Sequence, residues 1–133
     1  MIPRPWKIIV TSLPRFARKL FDMTDKIVVL STCSNEEEGE KLARLLVEER
    51  LAACVNVVPR VRSFYRWKGA VEAADECLLV IKSSRGLFAE LSLALGTAHS
   101  YELPEALAIP VFDGAANYLN WLSENLRPEE DIP

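Results

Sequence analysis

Histidine is almost missing from this chain: there is one, His99, in 133 residues. Cysteine is scarce, odd in number and widely spaced, with Cys33, Cys54 and Cys77 and no C-x-x-C pair. That usage argues against a disulfide framework and a structural zinc knuckle. It fits reduced, mostly buried thiols in a cytoplasmic protein. The longest apolar runs, such as CLLVI at Cys77–Ile81, fall far short of the ~20 residues of a membrane span. No glycine-rich phosphate loop, Ser–His–Asp pattern or metal-hydrolase motif is present. No internal repeat is present either.

Charge of one sign is concentrated at the start. Residues 1–24 carry Arg4, Lys7, Arg15, Arg18 and Lys19 against Asp22 alone, a local net of +4, while the remainder carries −7. An acidic body does not hold a polyanion through net charge, so nucleic acid is not the expected partner. The basic lead has the Arg-rich, acid-poor composition of a transit peptide, and its IIV run is too short for a secretory core. It reads as an N-terminal extension outside the domain, with Met23 a candidate start. The domain is expected over residues 25–127, one unit by length, with a polar tail over 128–133.

From Asp25 the hydrophobic pattern becomes regular. KIVVLSTC reads as a short buried strand. Ser34 and Glu37 have capping-box spacing ahead of a helix running to about Leu51, with Leu42, Ala43, Leu46 and Val47 on one face. Ala53–Trp67 is β-rich and broken only by Pro59, which demands a bulge or an edge. At ~3.3 Å per residue this segment would reach roughly 50 Å, against a domain diameter of about 36 Å. It must therefore bend, or protrude and find a pairing partner. Lys68–Gly69 suits a hairpin turn back into a third strand ending in CLLVI. A second helix spans about Arg85 to Ala98. Pro104 keeps the SYELPE segment a loop, ALAIPVF is a fourth strand with edge character at Pro110, and a final helix carries Tyr118, Leu119, Trp121 and Leu122.

The order β-α-β-β-α-β plus a terminal helix is an α+β arrangement with an antiparallel sheet. Right-handed crossovers place both main helices on one face. A third strand apolar on both sides, where a half-wet sheet would alternate, and an over-long hairpin together predict an oligomer.

Five motifs now line up: RLAACVNVVP, S-x-Y-x-W-K-G, E-x-L-x-x-IKS, H-x-Y-E-x-PE and YLNWL. In this order, from Lys26 to about Arg127, they resemble the CutA divalent-cation-tolerance family. The resemblance implies a ferredoxin-like fold, an extended strand 2–3 hairpin and a tight homotrimer built by strand pairing between subunits. It also implies an architecture similar to PII signalling proteins. It carries an association with copper and other divalent ions, and no established reaction, so the chain is read as a non-enzyme.

The candidate ligand cleft is Tyr65, Trp67, Lys82, His99, Tyr101 and Glu102. Aromatics flanking a few polar groups suit a small-ligand cleft, and Tyr65 and Trp67 equally suit interface anchors. Lys82 either snorkels to water or pairs with a carboxylate such as Glu102. The candidate metal donors are His99, Cys33 and Glu102. Imidazole with carboxylate suits Cu(II) and a thiolate suits Cu(I), so copper or another divalent ion is the expected, weakly bound cofactor. Relatives with a proposed copper site have Cys where Ser31 stands and a second His where Ala98 stands, and this chain has neither. His99 is equally suited to holding the loop after the second helix. An acid–base reading gives His99 a base's role with Glu102 orienting it, but supplies no nucleophile; Cys54 reads as a core thiol. The leading function is a trimeric cation-tolerance protein binding ions or a small ligand weakly between subunits. The alternative is a PII-like regulatory module engaging a small molecule or a partner protein.

Overall fold

The computed structural model describes residues 12–15 and 24–128. The expected N-terminal extension lies almost wholly outside the described residues, as does nearly all of the polar tail.

Strand β1 (Lys26–Cys33) leads into helix α1 (Glu36–Glu48). Strands β2 (Cys54–Trp67) and β3 (Ala70–Ser84) form the long hairpin. A 3-10 turn at Arg85–Leu87 opens helix α2 (Phe88–Ala98), followed by strand β4 (Leu107–Pro110) and helix α3 (Ala116–Glu124). The sheet order is β2-β3-β1-β4, with every pairing antiparallel. That order is ferredoxin-like.

Alternation along the strands separates two faces. Ile27, Val29, Cys33, Cys77, Leu79 and Ile81 are buried in one cluster with Leu42, Leu46, Leu91 and Leu95 of the helices. The opposite face carries Val28, Leu30, Leu78 and Val80, flanked by Val58, Leu107 and Ile109 through their register partners. Val58, Leu107 and Ile109 are exposed.

Pro59 does what its missing N–H requires. The β2–β3 register slips between Val58 and Val61, and Arg60 adopts a positive φ of 60°. Beyond the bulge β1 is gone, because its last pair is Cys33 with Cys77. Residues 61–67 and 70–76 therefore run on as a two-stranded ribbon. Lys68 and Gly69 close it with φ of 49° and 83°, the pair of left-handed residues a tight hairpin turn uses.

One local expectation is corrected. The helix cap is not Ser34 with Glu37 but Asn35, whose side chain accepts from the Glu38 N–H at 2.8 Å. Glu38 reaches back to accept from the Ser34 N–H and hydroxyl at 3.0 and 2.9 Å. The motif is displaced by one residue because the strand runs to Cys33, leaving Asn35 as the extended residue before the first turn. At the other end Arg127 clasps the chain: its guanidinium meets Glu90 at 2.6 Å and Glu49 at 3.0 Å.

Candidate functional site

The loop after α2 crosses the end of β1, and the side chains expected to carry chemistry gather there in part. His99 ends α2 with an extended backbone and is 9% exposed. Its Nδ1 accepts from the Tyr101 N–H at 3.0 Å, and its Nε2 lies 2.8 Å from the Thr32 carbonyl. A ring nitrogen facing a carbonyl must donate, so the imidazole is the Nε2–H tautomer with both nitrogens engaged. The Tyr101 ring sits 4.7 Å from the imidazole, centroid to centroid.

Tyr101 carries the loop to β3. Its hydroxyl donates to Glu76 Oε2 at 2.6 Å, and Glu76 is itself only 9% exposed. Burial, then the bond and charge of Glu76, push the Tyr101 phenol upward. Glu105, at the far side of the loop, is raised by burial and then by the Glu76 charge. Two carboxylates and a phenol thus share one patch where the ribbon leaves the sheet.

Glu38 ties α1 to the same loop. Its Oε2 accepts from the Ser100 N–H at 2.9 Å. Burial alone would raise this carboxyl, but hydrogen bonds from Ser100 and Ser34 outweigh it and hold it at about 2. Beneath α1, burial first and then the neighbouring Cys77 and Glu38 push the Cys33 thiol up to about 12. Cys77 is raised by burial, with Glu36 and Glu40 adding to it.

Of the six expected cleft residues, the chain brings His99 and Tyr101 together. Glu102 is adjacent but exposed. Lys82 is elsewhere: its ammonium donates to Asn56 Oδ1 and lies 3.6 Å from Cys54 Sγ, so it neither snorkels free nor meets Glu102. Tyr65 and Trp67 stand exposed on the ribbon. Tyr65 faces Glu72, four residues along β3 from Glu76 and hence about 13 Å away. The three expected metal donors are not gathered either. Among the described residues no three His, Cys, Asp or Glu side chains converge to hold an ion, and the lone pair His99 would offer is occupied. Within one chain the residues do not fit a tight metal site.

Glu38, Glu76 and Glu105 are not among the cleft residues expected from the sequence. Glu76 and Glu105 stand within the E-x-L-x-x-IKS and H-x-Y-E-x-PE motifs with no role assigned to them, and Glu38 is one of three acids in the first turn of α1. Only the tertiary register sets them against the loop.

An antiparallel sheet ordered β2-β3-β1-β4, helices on one face and a projecting hairpin define a ferredoxin-like α+β protein. Residues 27–125 match the family model described as CutA1 divalent ion tolerance protein, and the chain belongs to that family. A divalent-cation tolerance protein CutA of Thermus thermophilus is 46% identical over 98 residues, covering 74% of this chain and 95% of the relative. A chloroplastic CutA of Arabidopsis thaliana is 44% identical over 76% of this chain, which spans 56% of that relative. The Mus musculus CutA is spanned to 52%, so the chain matches little more than half of these longer relatives. Among solved structures, that of the Thermus thermophilus protein superposes with a TM-score of 0.75 at 44% identity, covering 77% of this chain and 99% of that one. CutA1 from Oryza sativa gives 0.76 at 40% identity, covering 79% and 96%.

Proposed function

We propose that the protein works as a cytoplasmic homotrimeric cation-tolerance module whose clefts between subunits bind divalent ions, copper among them, or a small ligand weakly. The observation that carries this reading is the ribbon of residues 61–67 and 70–76. A two-stranded ribbon without further cover is marginal in water, yet this one exposes Phe64 at 69% and Val71 at 67%. Beside it the sheet leaves Leu30, Leu78 and Val80 facing outward, a patch that burial in an assembly stabilises. Copies pairing ribbon to sheet cover both surfaces at once.

Assembly also brings Tyr65 and Trp67 of one copy toward the loop of Tyr101, Glu102 and Glu105 in the next. Because the described residues of one chain do not gather three donors, ions in this account draw donors from two copies and bind at micromolar strength or weaker. Catalysis is not part of the account. No helix of the described residues is long and apolar enough to cross a membrane.

A PII-like regulatory role is the second reading. It is favoured by the exposed aromatic ribbon, which is available to a partner protein. Titrating the purified full chain with Cu(II) by calorimetry tests the first reading: saturable heat at micromolar concentrations supports it. No heat from copper, zinc or nickel, together with a small molecule that orders the ribbon, supports the second.

A further inference from the structure

Cys33 and Cys77 lie 44 residues apart in sequence and face each other as direct partners at the last pair of the β1–β3 ladder. Both are fully buried and free. Both sulfurs also meet at one point of the helix above. A Cβ placed on Gly39 would lie 3.2 Å from Cys77 Sγ and 3.3 Å from Cys33 Sγ. Residue pairs directly opposite in an antiparallel ladder have Cα atoms about 4.5–5.5 Å apart. That lies inside the window of about 4.4–6.8 Å that disulfides use. The two Cβ atoms point to the same face because the residues are register partners.

We propose that Cys33 and Cys77 form a cross-strand redox pair that closes to a disulfide by exchange with a low-molecular-weight disulfide. One thiol gives its proton to solvent, and its sulfur attacks the small disulfide, breaking that S–S bond and releasing one small thiolate. The second thiol then loses its proton, attacks the protein sulfur of the mixed disulfide and expels the second small thiolate. The two protons are taken up by the two small thiolates. The protein is oxidised by two electrons and the small disulfide is reduced to two thiols.

The surroundings favour this product over a metal thiolate. Glu36, Glu38 and Glu40 border the pair and oppose any negative charge on sulfur. Two thiolates on a monovalent soft ion leave a net negative centre there, whereas a disulfide is neutral. The same surroundings slow the reaction, because the attacking species is the thiolate. The first turn of α1, held by the Asn35 cap and the Glu38 bonds, must open to admit the oxidant. The pair is therefore slow to close and, once closed, hard to reduce.

The test uses the full chain with Cys54→Ser, so that only these two thiols remain, incubated natively with oxidised glutathione. Intact mass should fall by about 2 Da, the two hydrogens lost in exchange. Non-reducing digestion should yield one cross-linked peptide pair holding Cys33 and Cys77. The melting temperature should rise by roughly 10 °C, since the link closes a long loop. Adding Asn35→Ala, which frees the first turn, should speed closure several-fold. Adding Cys33→Ser should replace the loss of mass with a stable glutathione adduct on Cys77. A chain that forms the link only after unfolding, or that melts lower once linked, overturns the proposal. A closure rate unchanged by Asn35→Ala overturns the gate.

Discussion

The imidazole of His99 is clamped between two strands of chain: Nε2 donates to the Thr32 carbonyl at 2.8 Å, while Nδ1 accepts from the Tyr101 N–H at 3.0 Å. The first bond spans 67 positions and ties the loop after α2 to the end of β1. The second turns the loop so that Tyr101 reaches Glu76. The only histidine therefore holds the loop's shape, and its availability to an ion is secondary.

His99→Ala should cost about 2 kcal/mol, two hydrogen bonds of ordinary net strength, and leave the proposed assembly intact. Urea unfolding at equal protein concentration reads this as a lower midpoint with an unchanged slope. A change below about 0.5 kcal/mol would mean that the loop does not depend on the clamp.

Glu38 makes stability depend on acid. Its carboxyl sits at about 2 in the folded chain against an ordinary 4.5, so the unfolded state binds the proton more readily and stability rises with pH through that window. The contribution is complete above about 4.5 and is lost as pH falls toward 2. Glu38→Gln should flatten this part of the stability profile and cost about 1 kcal/mol at neutral pH. Equal acid limbs for both chains would show that the carboxylate does not hold α1 to the loop.

Much of the fold is legible in the residues. KIVVLSTC reads as a strand because β-branched residues crowd it, Pro59 announces its bulge, and Lys68–Gly69 announces its turn. The site is less legible, because its pairings are long-range. Cys33 and Cys77 meet only through the β1–β3 register, and Tyr101 finds Glu76 only once the loop has crossed the sheet end. Lys82 meets Asn56 across β2, a cross-strand partner that spacing along one strand cannot reveal. Glu38 displaced the expected cap partner Glu37 by one residue, within the margin by which helix starts shift.

Ser31 is a built-in weakness. It is fully buried on the helix-facing side of β1, and its hydroxyl has no hydrogen-bond partner among the described residues. Desolvating such a group without compensation costs about 1–3 kcal/mol. Ser31→Ala should therefore stabilise the protein by about 1 kcal/mol, against the usual direction of core substitutions. Thermal unfolding of the two chains at matched concentration decides it, and a lower melting point for the variant would reveal a partner for the hydroxyl.

Gly39 answers to its neighbours rather than to its helix. In a helix interior alanine is favoured over glycine by about 1 kcal/mol. Here its Cβ would press on Cys77, Val57 and Cys33 at 3.2–3.3 Å, and all three are anchored in the sheet. Gly39→Ala should thus destabilise by about 1 kcal/mol, with crowding outweighing propensity. Combining it with Cys77→Ala should recover part of the loss, a coupling that a double-mutant cycle measures. Additive effects would mean that the sulfur does not limit the space.

The proposed function rests on assembly, because the ribbon, the outward apolar face and the divided cleft residues all call for further copies. The most direct measurement is the mass of the purified protein by light scattering, followed by mass photometry on dilution to nanomolar concentration. The account predicts a particle of three times the 15.0 kDa of one chain, unchanged by dilution. A stable monomer at 15.0 kDa, with the ribbon still folded, would contradict it.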